Sequence, residues 1–109
     1  MFRKQPAIED ITPKEAKQRI DTNPGLFVLD VREPEEYQAG HIAGAILIPL
    51  GQLGQRSGEL PKDRAILCVC QTGSRSTFAA SRLAAAGFTI VNLKGGMSAW
   101  EWERLPVKR

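Results

Sequence analysis

The sequence predicts an α/β domain with a five-stranded, mostly parallel sheet and helices on both faces. The main reason is that apolar segments of strand length alternate along the chain with segments that carry helix start and stop signals. The apolar segments are also hydrophobic nearly throughout, which is typical of strands covered on both faces. The length of 109 residues suits a single domain over residues 1–109.

Five apolar segments are predicted to be the strands of this sheet. They are residues 7–11, 26–31, 45–49, 65–70 and 89–93. Where a helix connects two neighbouring parallel strands, the crossover is expected to be right-handed.

The predicted helices are recognised by the residues at their ends. Thr12 and Glu15 form a capping box, and Pro13 stands at the first helical position, where proline is favoured. Gly87 is a stop signal at the end of a later helix. The remaining helical segments are predicted within residues 33–40, 50–63, 76–86 and 95–105.

Composition and charge exclude several classes of protein. The formal net charge is only +3, and much of the excess lies near the ends, in Arg3, Lys4, Lys108 and Arg109, so no basic stripe for nucleic acid is expected. No segment has the apolar length of a membrane span, and the first ten residues lack the apolar core of a signal peptide. With two cysteines and one histidine, neither a structural zinc site nor a disulfide framework is expected. A cytoplasmic protein without metal or cofactor is predicted.

The segment of greatest chemical interest is residues 70–76, where a predicted strand ends and a helix follows. In parallel sheets the ligand site lies at the carboxyl ends of the strands, and Cys70 stands at such an end. Inward N–H groups of a tight loop bind anions, and Gly73 permits the backbone angles that such a loop needs. A thiol in this field should ionise more readily than a free cysteine. Cys70 is therefore the candidate nucleophile, and the candidate substrate-binding residues are Gln71, Thr72, Gly73, Ser74, Arg75 and Ser76.

A structural alternative exists for this segment. Cys70 could be a small buried residue at the end of a strand, followed by an ordinary capped helix. The convergence of a thiol, a glycine, three hydroxyls and an arginine within seven residues favours the functional interpretation.

Three blocks of the sequence resemble the single-domain rhodanese family, in the family's order and over nearly the whole chain. They are residues 29–49, 68–76 and 91–100. The resemblance implies a rhodanese-like fold and a cofactor-independent sulfurtransferase, in which Cys70 carries sulfur as a persulfide. It also implies a small sulfur donor such as thiosulfate or a persulfide, and a thiol, cyanide or protein as acceptor.

The chain departs from the family at position 71, where many members have a basic residue and this chain has Gln71. Arg75 therefore supplies the only formal charge of the loop. Cysteine phosphatases of this fold have five residues between cysteine and arginine, whereas four residues separate Cys70 from Arg75, so a phosphatase or an arsenate reductase is not expected. A sulfur-carrier or docking module would need the same loop and stays open as an alternative.

Other polar residues have structural interpretations. The residue types of Asp30, Arg32, Glu36 and His41 would also suit acid–base groups. The family resemblance implies instead that they form a buried ionic and hydrogen-bonded network. Cys68 is expected to be a small core residue, because two positions along one strand are poorly aligned for a disulfide. Trp100 is also expected to pack against the core.

Overall fold

The sheet consists of five parallel strands. A computed structural model describes residues 8–109, and the strands run β1 (Glu9–Ile11), β2 (Phe27–Asp30), β3 (Ile46–Leu47), β4 (Ile66–Val69) and β5 (Ile90–Leu93). Their order in space is β1-β5-β4-β2-β3, and every pairing is parallel. The predicted fold class is confirmed. Residue 7, with which the first predicted strand begins, lies outside the described residues.

Helices cover both faces of the sheet, as predicted. They are α1 (Pro13–Thr22), α2 (Pro34–Ala39), α3 (Leu53–Arg56), α4 (Ser74–Ala85) and α5 (Gly96–Trp102), with single 3-10 turns at Leu50–Gln52 and Ser57–Glu59. At the start of α1, the Glu15 N–H donates to Thr12 Oγ1 at 3.2 Å and Pro13 occupies the first helical position, as predicted. The Glu15 carboxylate accepts from the Thr12 hydroxyl at 3.1 Å, so the predicted capping box forms only in part.

Successive residues of the central strand β4 face two different cores. Ile66 and Cys68 lie in a core with α3 and α4, whereas Leu67 and Val69 lie in a core with α1 and α5. All four side chains are buried, as expected for a parallel strand between two helical layers. Trp100 belongs to the second core and is 1% exposed, which confirms its predicted packing.

The third predicted strand is shorter and more exposed than the sequence indicates. Only Ile46–Leu47 pair in the sheet, and the Ile46 side chain is 47% exposed. The reason is position, because β3 lies at the edge of the sheet and pairs only with β2. The apolar residues of β3 are therefore not evidence that helices cover both faces of this strand.

A buried ion pair lies at the end of β2, close to the loop that follows β4. Asp30 is 0% exposed and Arg32 is 2% exposed, and Arg32 Nη2 donates to Asp30 Oδ2 at 2.8 Å. The same guanidinium donates to the Gly40 carbonyl at 2.8 Å, so it also ties the end of α2 to the sheet. The predicted buried network is thus confirmed for this pair.

The other two members of the predicted network have different partners. The His41 ring stacks on the Tyr37 ring at 3.7 Å between centroids, and its Nδ1 lies 2.8 Å from the Tyr37 carbonyl oxygen. Glu36 is not part of the buried pair and binds an arginine of the loop, as described below. Within residues 8–109, no helix is long and apolar enough to cross a membrane.

The buried pair yields the first testable prediction. Asp30→Ala should lower the free energy of unfolding by about 3 to 5 kcal/mol, because it leaves the Arg32 guanidinium buried without its counter-charge. Urea denaturation of both proteins measures the difference. Glu59→Ala, which removes the exposed ion pair with Arg56, is the control and should leave the midpoint nearly unchanged. Equal effects of the two substitutions would contradict this account of the buried pair.

Candidate active site

The loop after β4 turns into α4 earlier than the sequence predicts. Gly73 adopts a left-handed conformation, with φ of 104°, and α4 begins at Ser74 instead of residue 76. The first backbone hydrogen bond of the helix runs from the Thr77 N–H to the Gly73 carbonyl at 3.0 Å. Ser74, Arg75 and Ser76 therefore lie in the first turn, where N–H groups have no partner within the helix.

The Cys70 sulfur lies inside this turn. The Gly73 N–H donates to Cys70 Sγ at 3.0 Å, and Cys70 Sγ lies 3.3 Å from Ser76 Oγ, to which the thiol donates. The Cys70 side chain is 0% exposed in this arrangement. The sulfur is thus held among backbone N–H groups and one hydroxyl.

These contacts favour the ionised form of Cys70. Burial has the largest single effect on the pKa of Cys70 and raises it. The Ser76 hydroxyl and the backbone groups of Ser76, Gly73 and Thr72 together outweigh burial, so the pKa lies below its ordinary value. When the thiol ionises, the Ser76 hydroxyl can donate to the sulfur. The structure therefore agrees with the expected thiolate-stabilising loop.

A second helix keeps the loop carbonyls away from the sulfur. At the start of α5, the Met97 N–H donates to the Cys70 carbonyl at 2.8 Å and the Ser98 N–H donates to the Gln71 carbonyl at 2.9 Å. Gly95 and Gly96 have left-handed conformations at this contact. This role of α5 was not predicted from the sequence, and the adjacent glycines at 95–96 are the signal that could have revealed it.

The Gln71 side chain forms hydrogen bonds with Arg32 and with Ser98 of α5. Its Oε1 accepts from Arg32 Nη1 at 3.0 Å, and its Nε2 donates to Ser98 Oγ at 3.1 Å. Its amide therefore connects the buried ion pair of β2 to α5. Of the remaining predicted site residues, Thr72 and Ser74 are exposed.

Arg75 does not present a free charge, contrary to the sequence-based expectation. Its Nη1 and Nη2 donate to Glu36 Oε1 and Oε2, both at 2.7 Å. The hydrogen bond from Arg75 is the main reason that the pKa of Glu36 falls from 4.5 to about 2. The carboxylate is therefore ionised at neutral pH and offsets the charge of the loop. Sequence spacing could not reveal this pair, since its members are 39 positions apart.

The second cysteine is a core residue, as predicted. Cys68 is 0% exposed and lies in the core beneath α4. Burial, followed by the proximity of Cys70, raises the pKa of Cys68 to about 12. Cys68 therefore stays protonated at neutral pH, and the two thiols differ strongly in their readiness to act as nucleophiles.

The contact between loop and α5 predicts a sensitivity at Gly96. Gly96→Ala should reduce both thermal stability and the alkylation rate of Cys70, because the new Cβ would meet the Cys70 carbonyl oxygen and lie 2.7 Å from the Gln71 carbonyl carbon. Gly54→Ala is the matched control, since a Cβ there has nothing within 4 Å. Thermal unfolding and iodoacetamide labelling measure the two effects. A Gly96→Ala protein that matches the control in both would contradict this packing.

The environment of the sulfur predicts a pH profile. The alkylation rate of Cys70 should rise with pH as the thiolate forms, with a midpoint below that of an ordinary cysteine, because its pKa is lowered. Ser76→Ala should move the midpoint to higher pH by removing a donor to the thiolate. Ser81→Ala, an exposed position on the same helix, should not. Peptide mass spectrometry after timed labelling gives the rates, and an unshifted midpoint in Ser76→Ala would disprove the hydroxyl's role.

Known proteins are similar to this chain in sequence. The chain is 39% identical over 95 residues to "Putative sulfur carrier protein YrkF" of Bacillus subtilis, with 86% of this chain and 51% of that protein covered. It is 36% identical over 99 residues to "Putative sulfurtransferase YtwF" of the same organism, with 91% of this chain and 96% of that protein covered. The chain thus spans about half the length of the first relative and nearly all of the second.

This chain also matches a solved structure and a known protein family. The crystal structure of a rhodanese-related protein from Thermoplasma volcanium superposes with a TM-score of 0.86 at 34% identity, and covers 92% of this chain and 97% of that one. Residues 12–103 match the family described as "Rhodanese-like domain". With this match over most of its length and the parallel sheet described above, the chain belongs to the rhodanese-like domain family.

Proposed function

We propose that this domain is a sulfurtransferase that carries sulfane sulfur as a persulfide on Cys70. The observation that carries the proposal is the Cys70 thiol, which has a lowered pKa and lies among inward N–H groups at the carboxyl end of a central strand. The resemblance to proteins named as a sulfurtransferase and a sulfur carrier supports it. Within the described residues the other thiol, Cys68, stays protonated and buried.

The proposed reaction has two steps, each a substitution at sulfur. With thiosulfate, the Cys70 thiolate attacks the outer sulfur, a new S–S bond forms, and sulfite leaves with the electron pair of the old bond. With a persulfide RSSH, the same attack gives Cys70–S–SH and releases RS⁻. In the second step a thiolate or cyanide attacks the terminal sulfur and regenerates the Cys70 thiolate, as thiocyanate forms in the cyanide case.

The loop residues have defined roles in this scheme. Backbone N–H groups of Thr72, Gly73 and Ser76, with the Ser76 hydroxyl, hold the thiolate and its persulfide by donating to negative charge. Gln71 fixes the loop against Arg32. The donor is a small sulfane-sulfur compound, and the acceptor is a small thiol, cyanide or a protein thiol. A cytoplasmic location fits, since reducing conditions keep thiols free.

A mass measurement tests this function. Incubation with thiosulfate or cysteine persulfide should add one sulfur atom to the intact protein, because Cys70 is the readily ionised thiol. Cys70→Ser should abolish the gain, and Cys68→Ala should keep it at a packing cost of order 1 kcal/mol. Sulfur gain on the Cys70→Ser protein would overturn the assignment. Release of that sulfur over many cycles to cyanide distinguishes turnover from a carrier that transfers sulfur only to a protein.

A further inference from the structure

The ion pair between Glu36 and Arg75 connects α2 to the candidate active site. Both oxygens of the carboxylate accept from both terminal nitrogens of the guanidinium, at 2.7 Å each. The side chains are about one-third exposed, at 35% for Arg75 and 31% for Glu36, so the pair lies at the surface of the site. This bidentate geometry holds the Arg75 guanidinium of α4 against Glu36 of α2.

Arg75 nevertheless lies in the first turn of α4, directly before Ser76, whose Oγ is 3.3 Å from the Cys70 sulfur. The hydrogen bond to Glu36 is the main reason that the pKa of Arg75 is raised, and the charges of Cys70 and Glu33 also contribute. A guanidinium that interacts with charge at Cys70 could bind an anion at the mouth of the loop. Two carboxylates, at Glu33 and Glu36, act on it instead.

The cavity beside the loop has no excess of positive charge either. It measures about 410 Å³ and includes Gln71 and Glu36 in its wall. The ionisable residues that line it are two arginines and two glutamates: Arg32, Arg109, Glu36 and Glu101. Arg32 is already bound to Asp30. A dianion that approaches the loop from this side meets balanced charges.

We propose that Glu36 sets the donor preference of this domain by holding Arg75, so that organic persulfides are favoured over dianionic thiosulfate as sulfur donors. This inference rests on the proposed sulfurtransferase function. A persulfide RSSH brings at most one negative charge to the reacting end, and the thiolate RS⁻ leaves with the electron pair of the broken S–S bond. Thiosulfate brings two charges into a site whose only loop cation is already paired.

Glu36→Gln tests the proposal without dismantling the helix. Glu36 Oε1 also accepts from the Glu33 N–H at 3.0 Å at the start of α2, and a glutamine can accept the same hydrogen bond. The substitution removes the charge that holds Arg75. Thermal unfolding of the variant shows whether the fold is kept.

The readout is the ratio of kcat/KM for thiosulfate to kcat/KM for cysteine persulfide, with cyanide as acceptor. Glu36→Gln should raise this ratio by about tenfold at low ionic strength, mainly through a lower KM for thiosulfate, because the released guanidinium attracts the dianion. The gain should shrink as salt rises. Glu35→Gln removes the same formal charge from an exposed position of the same helix, and should leave the ratio within about twofold of the original.

The double variant Glu36→Gln with Arg75→Gln identifies the source of the gain. If Arg75 acts as proposed, the rise in the ratio should disappear in the double variant. An unchanged ratio in Glu36→Gln, or an equal rise in Glu35→Gln, overturns the donor-preference proposal while sulfur transfer through Cys70 stands. If neither donor adds sulfur to Cys70 in the original protein, the proposed function itself fails.

Discussion

The site depends on the hydrogen bonds that α5 makes to the loop after β4. Backbone N–H groups can surround the Cys70 sulfur only if the neighbouring carbonyls point elsewhere. The N–H groups of Met97 and Ser98 accomplish this, because they bind the carbonyls of Cys70 and Gln71. Gly96 allows the close approach, since a Cβ at that position would collide with both residues. Thiol reactivity is thus linked to packing between α5 and the sheet.

The buried pair of Asp30 and Arg32 extends this support to the other side of the loop. The guanidinium binds the β2 carboxylate, the carbonyl of Gly40 and the side-chain amide of Gln71. One charged group therefore joins a strand end, a helix end and the residue beside the nucleophile. A charge that is this deeply buried tolerates little displacement, because each lost partner leaves a desolvated donor. Arg32 consequently fixes the Gln71 side chain at the start of the loop.

Two kinds of electrostatic control operate at different distances from the sulfur. Near the sulfur, N–H groups and the Ser76 hydroxyl lower the pKa of Cys70 against the opposing effect of burial. Farther out, the pairing of Arg75 with Glu36 offsets the positive charge of the loop. The first control acts on the thiol, and under the donor-preference proposal the second acts on the choice of anion. Under the same proposal, substitutions on α2 change donor choice while the inner hydrogen bonds stay intact.

The sequence by itself determined the parallel α/β fold, the position of Cys70 at a strand end and the burial of Cys68, because these follow from local apolar patterns and short-range spacing. It also placed Asp30 beside Arg32, two positions apart. The tertiary structure alone decided the earlier start of α4 at Ser74 and the exposure of the edge strand β3. It alone joined Glu36 to Arg75, and α5 to the loop carbonyls. These contacts link residues far apart in the chain. The packing of whole helices and strands decides which residues meet, and local sequence patterns do not indicate it.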